Sequence, residues 1–229
     1  MASVESQRPS IAPAASSQSG TKRHPRFIYF DLGNVLLYFS HERMCRQMAQ
    51  VLASDEGRVR DFLFASSERQ LQFEAGKYTN AEFHADICSH FGVTAAAEHI
   101  AHSASDIFTL NTSVMPILAH LADAGYRLGI LSNINDLHWQ FIRRRGYGLI
   151  PSLFEVHALS YEIGALKPDP RIFAEAARMA GVAPEEIFYT DDIAGHIVGA
   201  KAAGFDAVLF TGAAKLLEDL AERGVKINL

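Results

Sequence analysis

The chain reads as an α/β protein, a three-layer parallel sheet with a small all-helical cap inserted after the first strand. Two observations predict this. Apolar runs of strand length alternate with segments of helical period through most of the chain. Residues 41–112 break that rhythm and carry helical period alone. Alternation in this order buries a parallel sheet between two helical layers. Such sheets bind ligands beyond the carboxyl ends of their strands, where the strand order reverses.

Taken in order, residues 1–24 are rich in Ser, Ala, Gln and Pro and show no apolar period, so the sequence predicts a disordered tail. It lacks the apolar centre of a signal peptide, and its Ser, Arg and Lys content leaves organelle targeting as an alternative. R-F-I-Y-F is the first strand, and the core is expected to comprise residues 25–40 and 113–229. Inside the cap, T-N-A-E predicts a helix start, with Thr79 as the cap and Glu82 three residues on. R-L-G-I-L-S, L-F-E-V-H-A-L-S, E-I-F-Y-T and D-A-V-L-F are the remaining strands. Between them V-M-P-I-L-A-H-L-A-D-A-G, D-P-R-I-F-A-E-A-A-R-M-A-G and G-H-I-V-G-A-K-A-A-G read as helices closed by glycine. Gly195, Gly199 and Gly204 have the wrong spacing for a dinucleotide loop and read as packing and helix-end residues.

Composition narrows the class. The 229 residues are 48% apolar and 21% charged, which suits one substantial core plus a smaller unit. A net charge of −5 gives no general attraction to nucleic acid or to an anionic membrane. No apolar run is long enough to span a bilayer. Cys45 and Cys88 cannot build a disulfide framework, so a reducing, cytoplasmic location is expected.

One feature is costly. Y-F-D-L-G-N-V-L-L-Y-F places Asp31 inside an apolar run, and a buried carboxylate costs several kcal/mol unless paired. Three further polar groups lie at or beside predicted strand ends: Ser132-Asn133, Lys167 before a helix, and Asp191-Asp192. Each alone has a bland reading as a cap, a turn or a solvated residue. Together they suit phosphoryl transfer, in which a carboxylate attacks only if a divalent cation and a fixed positive charge offset the phosphoryl oxygens. Asp31, Asp191 and Asp192 offer the hard oxygen ligands that Mg²⁺ prefers, Lys167 the fixed charge and Ser132 a hydroxyl donor.

D-L-G-N-V after a strand, L-S-N, a lysine before a helix, and D-D resemble the four motifs of the haloacid dehalogenase superfamily, over residues 26 to about 212. F-D-L-G-N-V, L-S-N-I-N-D-L-H and F-E-A-G-K-Y-T-N-A-E-F resemble the subgroup that includes a bacterial α-glucose-1-phosphate phosphatase and the phosphatase domain of soluble epoxide hydrolase. The resemblance implies a Rossmann-like core with a helical cap and a Mg²⁺-dependent phosphatase acting through an aspartyl-phosphate. It implies Asp31 as nucleophile, with Lys167 and Ser132 as the other catalytic groups. Asp31, the Gly33 carbonyl and Asp192, with Asp191, would hold the metal; Gly33, Asn34, Ser132, Asn133 and Lys167 would bind the substrate.

Two positions depart from the superfamily pattern. Gly33 stands where most of its phosphatases carry a second Asp that protonates the leaving group, although the resembled subgroup also has Gly. His196 stands where relatives usually carry Asn or Asp, and is expected to bond Lys167 or a metal-bound water. The expected partner is a small-molecule phosphate ester, with no nucleic acid and no membrane, the chain acting as a monomer or homodimer. His41, Arg43 and the F-E-A-G-K loop are the cap residues expected near substrate.

Other signals are weaker. His99 with His102, and His84 with Cys88, have helical spacing but supply only two ligands each. Arg143-Arg144-Arg145 ends a helix before Gly146, where cations complement the dipole. His138 either faces the site or is an ordinary helix residue. The rival functions are a 2-haloacid dehalogenase-type hydrolase, which needs no leaving-group proton, and a catalytically silent binding module.

Overall fold

The computed structural model describes residues 23–65, 67–144, 147 and 152–227. The predicted tail, except its last two residues, lies outside them, as do Arg145 and Gly146. In chain order the strands are β1 (Phe27–Phe30), β2 (Leu37–Phe39), β3 (Phe108–Leu110), β4 (Leu128–Ser132), β5 (Val156–Leu159), β6 (Ile187–Asp191) and β7 (Asp206–Leu209). Five of them form one parallel sheet in the spatial order β5-β4-β1-β6-β7. The chain builds outward from β1 to β4 and β5, then returns to add β6 and β7 on the other side. The carboxyl ends of β1, β4 and β6 therefore meet where the strand order reverses.

The central strands are buried on both faces, which is why they read as nearly unbroken apolar runs. Alternate residues serve opposite layers. Phe27, Tyr29, Leu131 and Tyr189 pack with Ile172, Phe173 and Ala176 of Pro170–Ala180 and with Ile197 and Ala200 of Ala194–Ala202. Ile28, Phe30, Ile130 and Phe188 pack with Ile117, Leu118 and Leu121 of Met115–Asp123 and with Leu216 and Leu220 of Ala213–Ala221. Burying each such side chain contributes about 1.5–3 kcal/mol.

Five helices lie between β2 and β3: α1 (His41–Val51), α2 (Glu56–Phe64), α3 (Ser67–Glu74), α4 (Asn80–Phe91) and α5 (Ala97–Ser105). The capping box at Thr79 and Glu82 forms as expected, with reciprocal backbone hydrogen bonds. Their apolar faces, including Met48, Val59, Phe83 and Ile100, continue the core that lines the sheet. The all-helical expectation for 41–112 needs one correction. Phe108–Leu110 pairs antiparallel with Leu37–Phe39, giving a two-stranded ribbon at the foot of the insert. Three-residue strands carry too little alternation to be read from sequence. His24 also belongs to the fold, since its ring packs on Tyr126 and its Nδ1 lies 3.2 Å from the Arg223 carbonyl oxygen.

Other helices that the described residues delimit are α6 (Met115–Asp123), α7 (Asp136–Arg144), α8 (Ser160–Ile163), α9 (Pro170–Ala180), α10 (Ala194–Ala202) and α11 (Ala213–Ala221). Gly199 in α10 has a packing role, because an added Cβ would lie 2.8 Å from Pro168 Cβ and 2.9 Å from the Phe173 ring. Gly195 has open space instead, so its expected packing role does not hold. Overpacking a tight contact costs about 1–3 kcal/mol. Gly199→Ala is thus expected to lower stability by about that amount in urea unfolding. An unchanged midpoint would show that α10 is free to move away from Pro168.

Candidate active site

Asp31 immediately follows β1, and its N–H donates to the Thr190 carbonyl of β6 at 2.9 Å, which fixes its backbone at the sheet edge. Lys167 is buried and reaches the same point from the segment before α9. Its Nζ donates to Asp31 Oδ1 at 2.8 Å, to Asp191 Oδ2 at 2.6 Å, to Tyr189 Oη at 2.9 Å and to the Leu131 carbonyl at 3.1 Å. The reading of Lys167 as a solvated surface residue is excluded. One buried ammonium bridges two carboxylates from different strands.

Its backbone is held as firmly. Asn133 accepts from the Lys167 N–H at 2.8 Å and donates to the Lys167 carbonyl at 3.1 Å, so a single amide clamps the residue on both sides. Asn133 lines the neighbouring cavity as well. Ser132 is buried at the end of β4, and among the described residues its hydroxyl makes a long, 3.4 Å contact to the Asn133 carbonyl. That hydroxyl is free to turn toward a ligand.

The two neighbouring aspartates have different surroundings. Asp191 is wholly buried, accepting from Ile193 N–H at 2.7 Å and from the Tyr189 hydroxyl, with His196 Nδ1 at 3.1 and 3.0 Å from its two oxygens. His196 therefore bonds Asp191, not Lys167. Burial alone would push Asp191 up, but the Lys167 ammonium and the hydrogen bonds from His196, Lys167 and Tyr189 outweigh it and hold the carboxyl well below the usual range. Asp192 is half-buried, and the Asn34 amide donates to it at 2.9 Å. Asn34 reaches this position from a left-handed backbone, φ 54°. The structure thus places Asn34 on a carboxylate of the site.

Oxygens of Asp31, Asp191 and Asp192 lie within 4.8 Å of one another, the one grouping of three or more metal-ligating side chains among the described residues. An all-oxygen donor set of this kind could hold a hard divalent cation. Burial, reinforced by Asp191 and opposed by Lys167, pushes Asp31 up to about 6.

A cavity of about 190 Å³ runs from Gly33 and Ser132 into the insert. Phe39, Phe64, Phe73, Phe83 and Phe108 give it aromatic walls. His41, Glu74 and His138 add polar groups, so three of the expected insert residues, His41, Phe73 and Glu74, and the open case of His138 fall on the cavity. Burial pulls His138 down to about 4, which keeps its imidazole neutral. Arg43 does not line the cavity; it is paired with Asp106 at 2.6 Å. A Cβ added at Gly33 would sit 3.1 Å from the Phe39 ring, so a side chain at this position would need that ring to shift by a few tenths of an ångström. His84 and Cys88 serve structure, with His84 Nε2 2.8 Å from the Ala95 carbonyl oxygen.

Sequence reasoning missed Tyr189 and Ser160. Tyr189 stands two residues before Asp191, and strand alternation could have placed it on the same side. Ser160 follows β5 as Ser132 closes β4, the same signal read once and overlooked once.

Residues 26–204 match the model of the haloacid dehalogenase-like hydrolase family. The chain belongs to that family. A haloacid dehalogenase family enzyme from Bacteroides thetaiotaomicron is similar at 26% identity and a TM-score of 0.72, over 83% of this chain and 95% of that one. A 2-haloacid dehalogenase from Pseudomonas syringae shares the fold, at 19% identity and a TM-score of 0.60, over 86% of this chain and 98% of that one. A glyceraldehyde 3-phosphate phosphatase from Methanopyrus kandleri is 40% identical over 97 residues, 42% of this chain and 40% of that protein. The chain therefore spans less than half the length of the curated relatives it matches. No helix among the described residues is long and apolar enough to cross a membrane.

Removing one partner of a buried ion pair costs about 3–5 kcal/mol because the other charge is left uncompensated. Lys167→Met leaves two such carboxylates, so its unfolding free energy in metal-free buffer should fall by about that amount. A denaturation midpoint equal to wild type would mean that Asp31 and Asp191 do not depend on the lysine.

Proposed function

We propose that the protein is a Mg²⁺-dependent phosphatase that hydrolyses a small phosphorylated metabolite through an aspartyl-phosphate on Asp31. The observation that carries this reading is the Lys167 ammonium held between Asp31 and Asp191 beside Asp192. Support comes from the phosphatase names of relatives and from a magnesium complex of the Bacteroides thetaiotaomicron enzyme.

Asp31, Asp192 and the Gly33 carbonyl would hold the metal, with Asp191 behind them anchoring Lys167. Mg²⁺ bound there supplies positive charge against the phosphoryl oxygens. Ser132 donates its hydroxyl to one of those oxygens, and Lys167 keeps an anionic ester tolerable beside three carboxylates. Asp31 attacks phosphorus in line with the departing oxygen; water then hydrolyses the acyl phosphate. The aromatic cavity accepts the organic part of the ester and keeps bulk water from the reacting groups.

The deciding experiment is a panel of phosphate esters and 2-haloacids, each with and without Mg²⁺. Turnover of phosphate esters that EDTA abolishes is expected. Dehalogenation that survives EDTA would replace this reading with the dehalogenase one. Asp31→Asn should bring phosphatase activity to background with an unchanged circular-dichroism spectrum, whereas residual turnover above a few per cent would remove Asp31 from the nucleophile's role.

Mg²⁺ binds the ionised form of Asp31, whose raised value of about 6 lets protons compete in the acid range. Affinity measured calorimetrically should be nearly constant above about pH 7 and fall about tenfold by about pH 5. Equal affinity at both pH values would show that Asp31 is not a ligand.

A further inference from the structure

We propose that Glu74, on the helical insert, is the proton donor to the leaving oxygen, the role left vacant by Gly33. The proposal rests on the phosphatase reading and assigns a catalytic residue to it. Glu74 ends α3 and lines the cavity that begins at Gly33 and Ser132. Gly33 has no side chain to give a proton, and a Cβ added there would stand 3.1 Å from the Phe39 ring, so the proton comes from another group of the same cavity.

The placement of Glu74 is built, not incidental. Its backbone carbonyl accepts from the buried Ser160 hydroxyl at 2.6 Å, and that hydroxyl accepts from the Ile134 N–H at 2.9 Å. Ile134 stands two residues after Ser132, so one serine ties the end of α3 to the loop that binds phosphate. Two residues beyond Glu74, an added Cβ at Gly76 would lie 2.2 Å from the Tyr161 carbonyl oxygen, so this turn lies directly on the core. Burial, with Asp31 adding and Lys167 and His196 opposing, holds the Glu74 carboxyl above its ordinary range. Gln70 Nε2 donates to it at 3.2 Å from one turn earlier.

The chemistry balances. As the bond from Asp31 to phosphorus forms, the bond from phosphorus to the leaving oxygen breaks. The electron pair goes to that oxygen, which takes the proton of the Glu74 carboxyl. The resulting carboxylate accepts a proton from the water that attacks phosphorus next. The bond from phosphorus to Asp31 breaks, phosphate leaves, and Glu74 is an acid again.

The test compares wild type, Glu74→Gln and Glu74→Asp, all loaded with Mg²⁺, on glycerol phosphate and p-nitrophenyl phosphate in rapid-mixing kinetics. A basic alkoxide needs the proton far more than a nitrophenolate does. Glu74→Gln should lose about 10²-fold or more on glycerol phosphate but keep its p-nitrophenol burst within about tenfold, followed by slow hydrolysis of the phosphoenzyme. Glu74→Asp, which retains an acid, should recover part of the glycerol phosphate rate. Equal losses on both esters in both variants would make Glu74 a structural residue and overturn the proposal, as would a Glu74→Gln enzyme that matches wild type on glycerol phosphate. A wild type that hydrolyses no phosphate ester of the panel with Mg²⁺ would instead sink the phosphatase reading, and this role with it.

Discussion

The buried ammonium of Lys167 is the constraint on which the rest of the site depends. Asp31 and Asp191 come from adjacent strands and face one position, an arrangement that would repel itself in a dry interior. A single charge between them makes the pair tolerable. Lys167 must then be brought in from the segment before α9 and kept there. Asn133 clamps its backbone, Pro168 wedges under Gly199, and Tyr189 offers its hydroxyl to both lysine and aspartate. Much of the polar chemistry at the sheet edge follows from that one placement.

The parallel sheet explains why these groups meet at all. Its order puts β1 between β4 and β6, so the residues closing those three strands lie side by side although they are far apart in the chain. The insert contributes a different environment. Its aromatic walls and a neutral, half-buried His138 make a low-dielectric chamber next to a densely charged edge. Electrostatic stabilisation is stronger beside apolar walls, because they lower the local dielectric.

The sheet was legible because parallel strands buried on both faces are written as apolar runs, and because D-P and A-G mark the ends of α9. Asp31, Ser132, Lys167 and the Asp191-Asp192 pair stood out as polar groups where apolar residues belong, and the structure brings them together at the sheet edge. The β2–β3 ribbon was not legible, since its pairing joins residues about seventy positions apart and each strand has only three. Arg43 is expected near substrate from its place soon after Asp31, yet Asp106 holds it elsewhere through a contact no local pattern encodes. His196 is expected to bond Lys167 or a metal-bound water, and its ring nitrogen instead meets Asp191, the carboxylate that Lys167 itself pairs with; spacing alone does not choose among such close neighbours. The approach of the Phe39 ring to Gly33 is likewise a tertiary fact, made by a strand that starts four residues later.

The account's central claim is that phosphoryl transfer proceeds through a covalent bond to Asp31. Its most direct test is the configuration at phosphorus after hydrolysis of an isotopically chiral phosphate ester in labelled water. Two successive in-line displacements, first by the carboxylate and then by water, give net retention, and that is the result expected. Net inversion would mean that water attacks the ester directly, and would contradict the role assigned to Asp31.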